Sequence, residues 1–267
     1  MKIKTKKEIE ILSEGGKLLG QILSNLMQMC SVGISTYTID QAAYEMIVAA
    51  RGRPSFKNYK SRASDRPFPG SICSSLNSQI VHGIPNKDVI LKNGDIYTID
   101  IGMEWPVHKN KRGLFTDTAV TIIIGHAPKI IHKLLNVTAE ALEVGIQAIK
   151  PGLSVAHIGK AIERFVKKQG DYGIIRELSG HGVGYAVHED PWIPNYYDKR
   201  LDNIILKPGM VLALEPMITN GGYEIKIGKD CWTIETADQS LCAHFEHTVA
   251  VTETGCQVLT RRPEENF

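Results

Sequence analysis

The sequence predicts an α+β fold, in which helices lie against an antiparallel sheet built from two similar parts of the chain. Strand-like and helix-like segments fall into blocks, a pattern that favours this class over a doubly wound parallel sheet. The chain also repeats itself, because the run Leu91–Asp100 matches the run Leu206–Glu215. Each run is a Lys/Gly turn followed by an apolar strand that ends in a carboxylate. We therefore expect one catalytic domain, residues 1–267, with halves of about 1–125 and 126–267.

The repeat extends to the helices and to a second pair of strands. Gly33–Thr36 and Gly152–Val155 each precede a helical pattern, and Asp117 and Glu246 occupy the same place in two further matched strands. The repeated unit consists of two helices followed by two strands. It is too long, and two copies are too few, for a solenoid protein. Two such units closing on each other would bring four acids to a common axis: Asp100, Asp117, Glu215 and Glu246.

The helices are predicted from caps and apolar periodicity. A capping box formed by Thr5 and Glu8 begins the first helix, whose apolar stripe continues to about Met29. Ser35 and Ser154 are the predicted N-caps of the second helix in each half. Helical patterns are further expected near residues 129–148 and 155–169.

The strands are predicted from segments rich in Val, Ile and Thr or in alternating apolar residues. They are expected at residues 71–75, 96–103, 116–124, 210–218, 231–236 and 246–252. The segment 54–69 is rich in Ser, Arg, Lys, Pro and aromatic residues and has no steady period, which predicts a loop.

Composition excludes several classes of protein. The chain has 267 residues, 43% of them hydrophobic, and a formal net charge of +2, which is typical of a globular protein without a specific nucleic-acid footprint. No apolar run reaches the roughly 18 residues of a membrane span, and no signal-peptide apolar region is expected at the N-terminus. Five cysteines without a CxxC pair favour a reduced, cytoplasmic protein. Since the halves complete each other, we expect a monomer.

Four acids within apolar strands need neutralising charge, which divalent metal ions supply most economically. Three histidines in turn-like motifs flank the acid strands: His181 and His188 lie between them, and His82 lies in the first half of the chain. A lone acid at a strand end is usually solvated or paired with Lys, and a lone turn histidine is usually a surface hydrogen bonder. The combination of four acids with three histidines instead indicates a metal site.

Together these motifs resemble those of type I methionine aminopeptidases over about residues 6–259. The matching motifs are Val81-His82-Gly83-Ile84-Pro85, Ile99-Asp100, Asp117-Thr118, Gly180-His181-Gly182-Val183-Gly184, His188-Glu189-Asp190-Pro191, Leu214-Glu215-Pro216-Met217 and Phe245-Glu246-His247-Thr248. The resemblance implies the pita-bread fold of creatinase and the aminopeptidases, a pseudo-twofold antiparallel sheet backed by helices, here without an N-terminal zinc-binding extension. It also implies a hydrolase that removes the N-terminal methionine of nascent polypeptides when the second residue is small.

The resemblance implies a dinuclear metal centre. Asp117 and Glu246 would bridge the two ions, Asp100 would bind one ion, and His181 with Glu215 would bind the other. Four carboxylates and one imidazole suit Mn, Fe(II), Co or Zn, and which ion is native stays open. Two such ions can share a water, lower its pKa and direct the hydroxide at a peptide carbonyl.

The resemblance also implies roles for neighbouring side chains. Glu215 would move the proton, His188 would stabilise the carbonyl oxygen, and His82 would contact the scissile nitrogen. The methionine pocket would be lined by Tyr59, Phe68, Cys73 and Trp232, with Phe56 and Val187 as further candidates.

Two polar segments depart from the family pattern. Lys60–Arg66 precedes the pocket strand, and Trp105–Arg112 lies between the strands of Asp100 and Asp117. The second segment is expected to lengthen the hairpin between these strands without moving their ends. Both could change access to the site or a transient contact with a partner such as the ribosome.

Three alternatives stay open. A Xaa-Pro aminopeptidase or prolidase shares the fold and the ligand types, but usually carries an N-terminal domain for which residues 1–12 leave no room. A type II methionine aminopeptidase is disfavoured, because the 26 residues between His188 and Glu215 are too few for the helical insertion of that class. A non-catalytic binding module on the same fold would typically lack some ligands, whereas all five are present here.

Overall fold

A computed structural model describes residues 2–60, 66–109 and 112–265. Its helices are α1 (Lys6–Met29), α2 (Thr36–Ala49), α3 (Lys129–Gln147) and α4 (Ala156–Gln169), with a short 3-10 helix at Lys199–Leu201. Its strands are β1 (Arg53–Pro54), β2 (Ile72–Leu76), β3 (Gln79–Val81), β4 (Ile96–Trp105), β5 (Leu114–Ile123), β6 (Gly173–Ile174), β7 (Gly180–Gly182), β8 (Glu189–Ile193), β9 (Val211–Leu214), β10 (Met217–Thr219), β11 (Ile225–Ile227), β12 (Ile234–Thr236), β13 (Cys242–His244), β14 (Glu246–Val251) and β15 (Cys256–Val258).

One large antiparallel sheet organises the fold. Its strand order is β1-β4-β5-β14-β9-β7-β8, with β2 added to β4 and β15 added to β14. The main apolar core contains fully buried residues of all four helices and of the central strands, for example Leu19 of α1, Leu134 of α3 and Leu212 of β9. The helices therefore pack on this sheet, and the predicted α+β class with an antiparallel sheet is confirmed.

The repeated runs of the sequence make matching contacts. The amide of Gly33 donates to the carbonyl of Leu91, and the amide of Gly152 donates to the carbonyl of Leu206, both at 2.9 Å. Two isolated bridges also correspond, Ser35 with Ile90 and Ser154 with Ile205. The strands that begin within these runs, β4 and β9, lie on either side of the central β5–β14 pair.

The predicted helix starts are confirmed with one exception. The Thr5 hydroxyl accepts from the amide of Glu8, whose carboxylate accepts from the Thr5 amide, and Ser35 caps α2. The prediction that Ser154 caps α4 is wrong. Val155 is the N-cap, its φ of −57° and ψ of −36° are already helical, and this end has no side-chain cap hydrogen bond within the described chain. Ser154 thus lies one residue too early.

Two predicted strands differ from the structure. The segment 210–218 divides into β9 and β10, which belong to different sheets, because Pro216 has no amide to continue the ladder. The segment 231–236 shortens to β12, since Cys231 has a left-handed φ of 64°. The turn predicted for His181 is also wrong, because this residue lies on β7 between β8 and β9.

The structure describes only part of the two polar segments that depart from the family pattern, Lys60–Arg66 and Trp105–Arg112. Residues 61–65 of the first and residues 110–111 of the second lie outside the described chain. In the ladder between β4 and β5, Ile96 lies opposite Ile123 and Trp105 lies opposite Leu114. No helix in the described ranges is both long and apolar enough to cross a membrane.

Candidate metal centre

The four predicted acids lie on, or directly after, four neighbouring strands at the middle of the sheet. Asp100 is on β4, Asp117 is on β5, Glu246 begins β14 and Glu215 directly follows β9. Asp100 and Glu246 both lie opposite Ala119 of β5, and Asp117 is two residues from Ala119. Because opposite residues and residues two apart on a strand share a face of the sheet, these three acids point the same way.

Strand register also brings His181 to this face. His181 lies opposite Ala213 of β9, which lies opposite Thr248 of β14, two residues from Glu246. The three residues Asp117, His181 and Glu246 offer ligand atoms within 4.8 Å of one another. The Nε2 atom of His181 is also 3.6 Å from Oε1 of Glu215.

The glycines beside His181 are required by close backbone approach. A Cβ atom on Gly180 would lie 2.3 Å from the carbonyl oxygen of Ala213, and one on Gly182 would lie 2.5 Å from that of Asp190. Any side chain at these places would push β7 away from its neighbours. The Gly-His-Gly sequence therefore lets a strand bearing only one side chain pack tightly beside the acids.

Threonines fix the two central acid strands to each other. The Asp117 amide donates to the Thr248 hydroxyl at 2.9 Å, and that hydroxyl donates to the Asp117 carbonyl at 2.8 Å. In the reverse direction, the Thr118 hydroxyl donates to the carbonyl of Glu246 at 2.8 Å. The backbones of Asp117 and Glu246 are therefore held independently of their carboxylates.

Burial raises the pKa of every acid in this group. Desolvation raises the pKa of Asp100 to about 7 and that of Glu215 to about 8. The pKa values of Asp117 and Glu246 lie well above their ordinary range, because burial and the neighbouring acids both oppose ionisation. Each carboxyl thus resists ionising beside the others.

Unpaired oxygens show that this group of acids and His181 fits a cation. Asp100 Oδ1 and Glu246 Oε1 are buried and have no hydrogen-bond partner among the described residues. Buried polar atoms are normally paired, so oxygens without partners beside further carboxylates call for a positive charge. A donor set of carboxylates and one imidazole is suited to a divalent transition metal.

The histidines of the site are held neutral. Burial, together with neighbouring His188, lowers the pKa of His181 to about 3 and that of His82 to about 4. Burial also lowers the pKa of His188. At neutral pH their rings can therefore offer a lone pair or a hydrogen-bond donor.

All of the predicted catalytic, metal and pocket residues except Val187 border one cavity of about 320 Å³. The cavity is lined by Phe56, Tyr59, Phe68, Cys73, Val81, His82, Asp100, Asp117, Glu177, Leu178, Ser179, His181, His188, Glu215, Met217, Trp232 and Glu246. Val187 packs in the apolar cluster that contains Phe68 and Trp232 but does not line the cavity.

Comparison with known proteins identifies the family. The model of metallopeptidase family M24 matches residues 10–253. The chain belongs to metallopeptidase family M24. A methionine aminopeptidase of Bacillus subtilis is 43% identical over 258 residues, which cover 97% of this chain and 98% of the relative. The prediction of a metallo-exopeptidase related to type I methionine aminopeptidases is thereby confirmed.

Solved M24-type structures confirm the fold. The crystal structure of a methionine aminopeptidase from Thermotoga maritima matches with a TM-score of 0.90 and 36% identity, covering 98% of this chain and 100% of that chain. A prolidase from Pyrococcus horikoshii matches with a TM-score of 0.74 at 18% identity, and 65% of its length is covered. The second likeness concerns the fold alone. The predicted pita-bread fold is therefore confirmed.

Sequence reasoning missed one buried residue beside the acids of this M24 chain. His244 of β13 is 1% exposed, and its Nε2 is 3.5 Å from Oε2 of Glu215. Neither ring nitrogen has a hydrogen-bond partner in the part of the chain that the structure describes. The two oxygens of Glu215 thus face two different imidazoles, those of His181 and His244. The only signal in the sequence was the position of His244 two residues before Glu246.

The other missed residues line the cavity wall or hold Glu215. Glu177, Leu178, Ser179 and Met217 also border the cavity, although the sequence analysis assigned none of them to the site. The side-chain amide of Asn195 donates to the backbone carbonyl of Glu215 at 3.0 Å. This bond holds the backbone where the chain leaves β9.

Metal loading of the cation-free protein is predicted to release protons. Metal ligation needs ionised carboxylates, whereas burial raises the pKa of Asp100 to about 7 and that of Glu215 to about 8. Protons therefore compete with the metal below these values, and the affinity for Mn²⁺ rises as the pH increases through them. Isothermal titration at pH 7 in buffers of different ionisation enthalpy measures the release. Heats that do not depend on the buffer would contradict it.

Proposed function

We propose that this protein is a metal-dependent aminopeptidase that removes the N-terminal methionine from polypeptides whose second residue is small. The observation that carries this proposal is a single cavity in which buried carboxylates and His181 lie beside an aromatic, sulfur-containing wall. The full-length similarity to methionine aminopeptidases supports the same substrate.

The proposed cofactor is a pair of divalent ions of Mn, Fe(II), Co or Zn. The residues that would hold them are Asp100, Asp117, His181, Glu215 and Glu246, with Asp117 and Glu246 shared between the ions. Support comes from the close grouping of Asp117, His181 and Glu246 and from the unpaired oxygens of Asp100 and Glu246. When bound, such ions supply Lewis acidity that lowers the pKa of water and polarises the scissile carbonyl.

Glu215 is the proposed carrier of the proton between water and the leaving amine. In the metal-free site burial raises the pKa of its carboxyl to about 8, so this group accepts a proton more readily than an exposed glutamate does. Its backbone is held by Asn195 while each of its oxygens faces an imidazole. These contacts restrain the orientation of the Glu215 carboxyl, which lines the cavity.

His188 is the proposed donor to the substrate carbonyl oxygen. The Tyr59 hydroxyl lies 2.9 Å from His188 Nδ1. If Tyr59 donates, the imidazole proton is on Nε2, which is then free to donate to an oxygen that gains negative charge in the transition state. His82, in a left-handed turn with a φ of 59° after β3, would contact the scissile nitrogen.

The aromatic wall of the cavity is the proposed methionine pocket. Phe68 and Trp232 meet edge to face with ring centroids 5.3 Å apart, and Tyr59, Cys73 and Phe56 complete the lining. A thioether packs favourably against aromatic ring edges. Burial raises the pKa of the Cys73 thiol well above its ordinary value, so this residue stays an uncharged wall and not a metal ligand.

Further proposals concern the setting of the enzyme. The chain would act as a monomeric cytoplasmic protein whose single catalytic domain, residues 1–267, is made of the halves 1–125 and 126–267. Its partners would be the N-termini of nascent polypeptides, with a transient ribosome contact and without specific nucleic-acid or membrane binding. The matched contacts of the two repeated runs support the two halves.

Peptide hydrolysis tests the proposed function. Purified protein loaded with Mn²⁺ or Co²⁺ is incubated with Met-Ala-Ser and with an Ala-Pro peptide, with and without a chelator. We expect release of methionine from Met-Ala-Ser that the chelator abolishes. Preferential cleavage of the Ala-Pro peptide would identify a Xaa-Pro aminopeptidase instead. No metal-dependent cleavage of either peptide would favour a non-catalytic binding protein.

Substitution of His82 is predicted to separate chemistry from metal binding. His82→Ala removes the proposed contact with the scissile nitrogen and should lower kcat by about 100-fold, while metal content measured by mass spectrometry stays at the wild-type level. His132→Ala, an exposed histidine on α3, is the matched control and should leave both values unchanged. A metal loss in His82→Ala that equals its activity loss would contradict the assignment.

A further inference from the structure

The first residues of α1 and the residues before them are fastened to the loop that carries His188. We call residues 2–8 the N-terminal segment and residues 183–189 the His188 loop. The Lys4 amide donates to the carbonyl of Gly209 at 2.8 Å, which places Lys4 beside the turn before β9. From there its ammonium reaches Glu189, with Nζ 3.0 Å from Oε2. The Lys4 side chain is 0% exposed.

Glu189 in turn closes the His188 loop. Its second carboxylate oxygen accepts from the backbone amides of Tyr185 at 2.5 Å and Ala186 at 3.2 Å. The Tyr185 hydroxyl donates to the Glu8 carboxylate at 2.9 Å, so the tip of the loop is tied to the N-terminal segment a second time. The ammonium of Lys4 also lies 5.0 Å from the centre of the Tyr185 ring.

The loop is built around the Lys4 side chain. Gly184 has a φ of 131°, and a Cβ atom at this position would lie 2.5 Å from Cε of Lys4. Burial lowers the pKa of Lys4, and the hydrogen bond with Glu189 opposes that shift. A buried ion pair is a weak source of stability, because desolvation offsets much of its attraction. Its geometry, however, is directional, so the pair is well suited to fix a position.

The position that the ion pair fixes, that of Glu189, is next to a histidine that lines the cavity. Glu189 directly follows His188, whose Nδ1 lies 2.9 Å from the Tyr59 hydroxyl and whose ring centre is 4.5 Å from that of His181. Tyr59 thus restrains the ring of His188, while Glu189 restrains its backbone. We propose that Lys4 is a positioning residue for His188, acting through the buried ion pair with Glu189. This inference rests on the proposed function, because it assigns Lys4 to the reaction through His188.

A double-mutant cycle tests whether Lys4 acts through His188. The kcat for Met-Ala-Ser is measured for the wild type, Lys4→Met, His188→Ala and the double variant, all with metal content checked. A misplaced catalytic group costs roughly 10- to 100-fold in rate. We therefore expect a loss of kcat of this size from Lys4→Met when His188 is present. In the His188→Ala background the same change should cost less than about 2-fold, because coupled residues are not additive.

Matched variants control for folding and charge. Lys2→Met removes an ammonium that lies 5.4 Å from the centre of the same Tyr185 ring, and it should leave kcat unchanged. Glu189→Gln keeps the size of the side chain and should show the same dependence on His188 as Lys4→Met, which keeps the test valid if Lys4→Met does not fold. An equal loss from Lys4→Met in both backgrounds, or an equal loss from Lys2→Met, would overturn the proposal.

Amide hydrogen exchange gives a readout that does not depend on the reaction. The amides of Tyr185 and Ala186 donate to Glu189, so their exchange should become faster in Lys4→Met and stay unchanged in Lys2→Met. Unchanged exchange in Lys4→Met would overturn the anchoring by Lys4. If the wild type does not cleave Met-Ala-Ser, the proposed function fails by itself, and hydrogen exchange still decides whether Lys4 holds the loop.

Discussion

Four carboxyl groups buried side by side are the constraint on which the rest of this structure depends. Ionised together without cations they would repel one another in a medium that solvates them poorly, and protonated they would be poor metal ligands. The raised pKa values of Asp100 and Glu215 and the unpaired oxygens of Asp100 and Glu246 are two consequences of the same burial. A fold that keeps these acids together must hold them by means other than their charges.

The backbone supplies that restraint. Thr118 and Thr248 bond across the β5–β14 pair, and the small side chain of Ala119 lies between Asp100 and Glu246 on the sheet. Glycines on both sides of His181 allow the backbone of β7 to lie close to the backbones of β8 and β9. The proposed ligands are therefore presented by strands of one sheet or, for Glu215, by the residue directly after a strand, which favours precise geometry in a metal site.

The two halves of the chain are alike in backbone but differ in chemistry. Asp100 remains within the β4 ladder, whereas Glu215 lies where Pro216 ends β9 and the chain passes to another sheet. At the end of β9 the Glu215 carboxyl has surroundings that differ from those of Asp100, with an imidazole near each of its oxygens. An internal repeat thus provides two matched acids, and a proline in one copy accounts for the different role that we propose for it.

Sequence patterns located the central strands and predicted that the four acids meet, because both depend on local periodicity and on a repeat that is visible without a structure. The single strand predicted over residues 210–218 was wrong, since the break at Pro216 separates two sheets. His244 was not predicted as a site residue because its closeness to Glu215 arises from packing of β13 against the large sheet. The ion pair between Lys4 and Glu189 joins residues far apart in the sequence, and no local pattern marks such a contact.

The most direct test of this account is anomalous diffraction from crystals grown with Mn²⁺. The account predicts two anomalous peaks inside the cavity, each beside Asp117 and Glu246, with one peak also beside Asp100 and the other beside His181 and Glu215. An absence of anomalous signal among these five residues under saturating Mn²⁺, or peaks only at the protein surface, would contradict the claim that the buried acids form a metal centre.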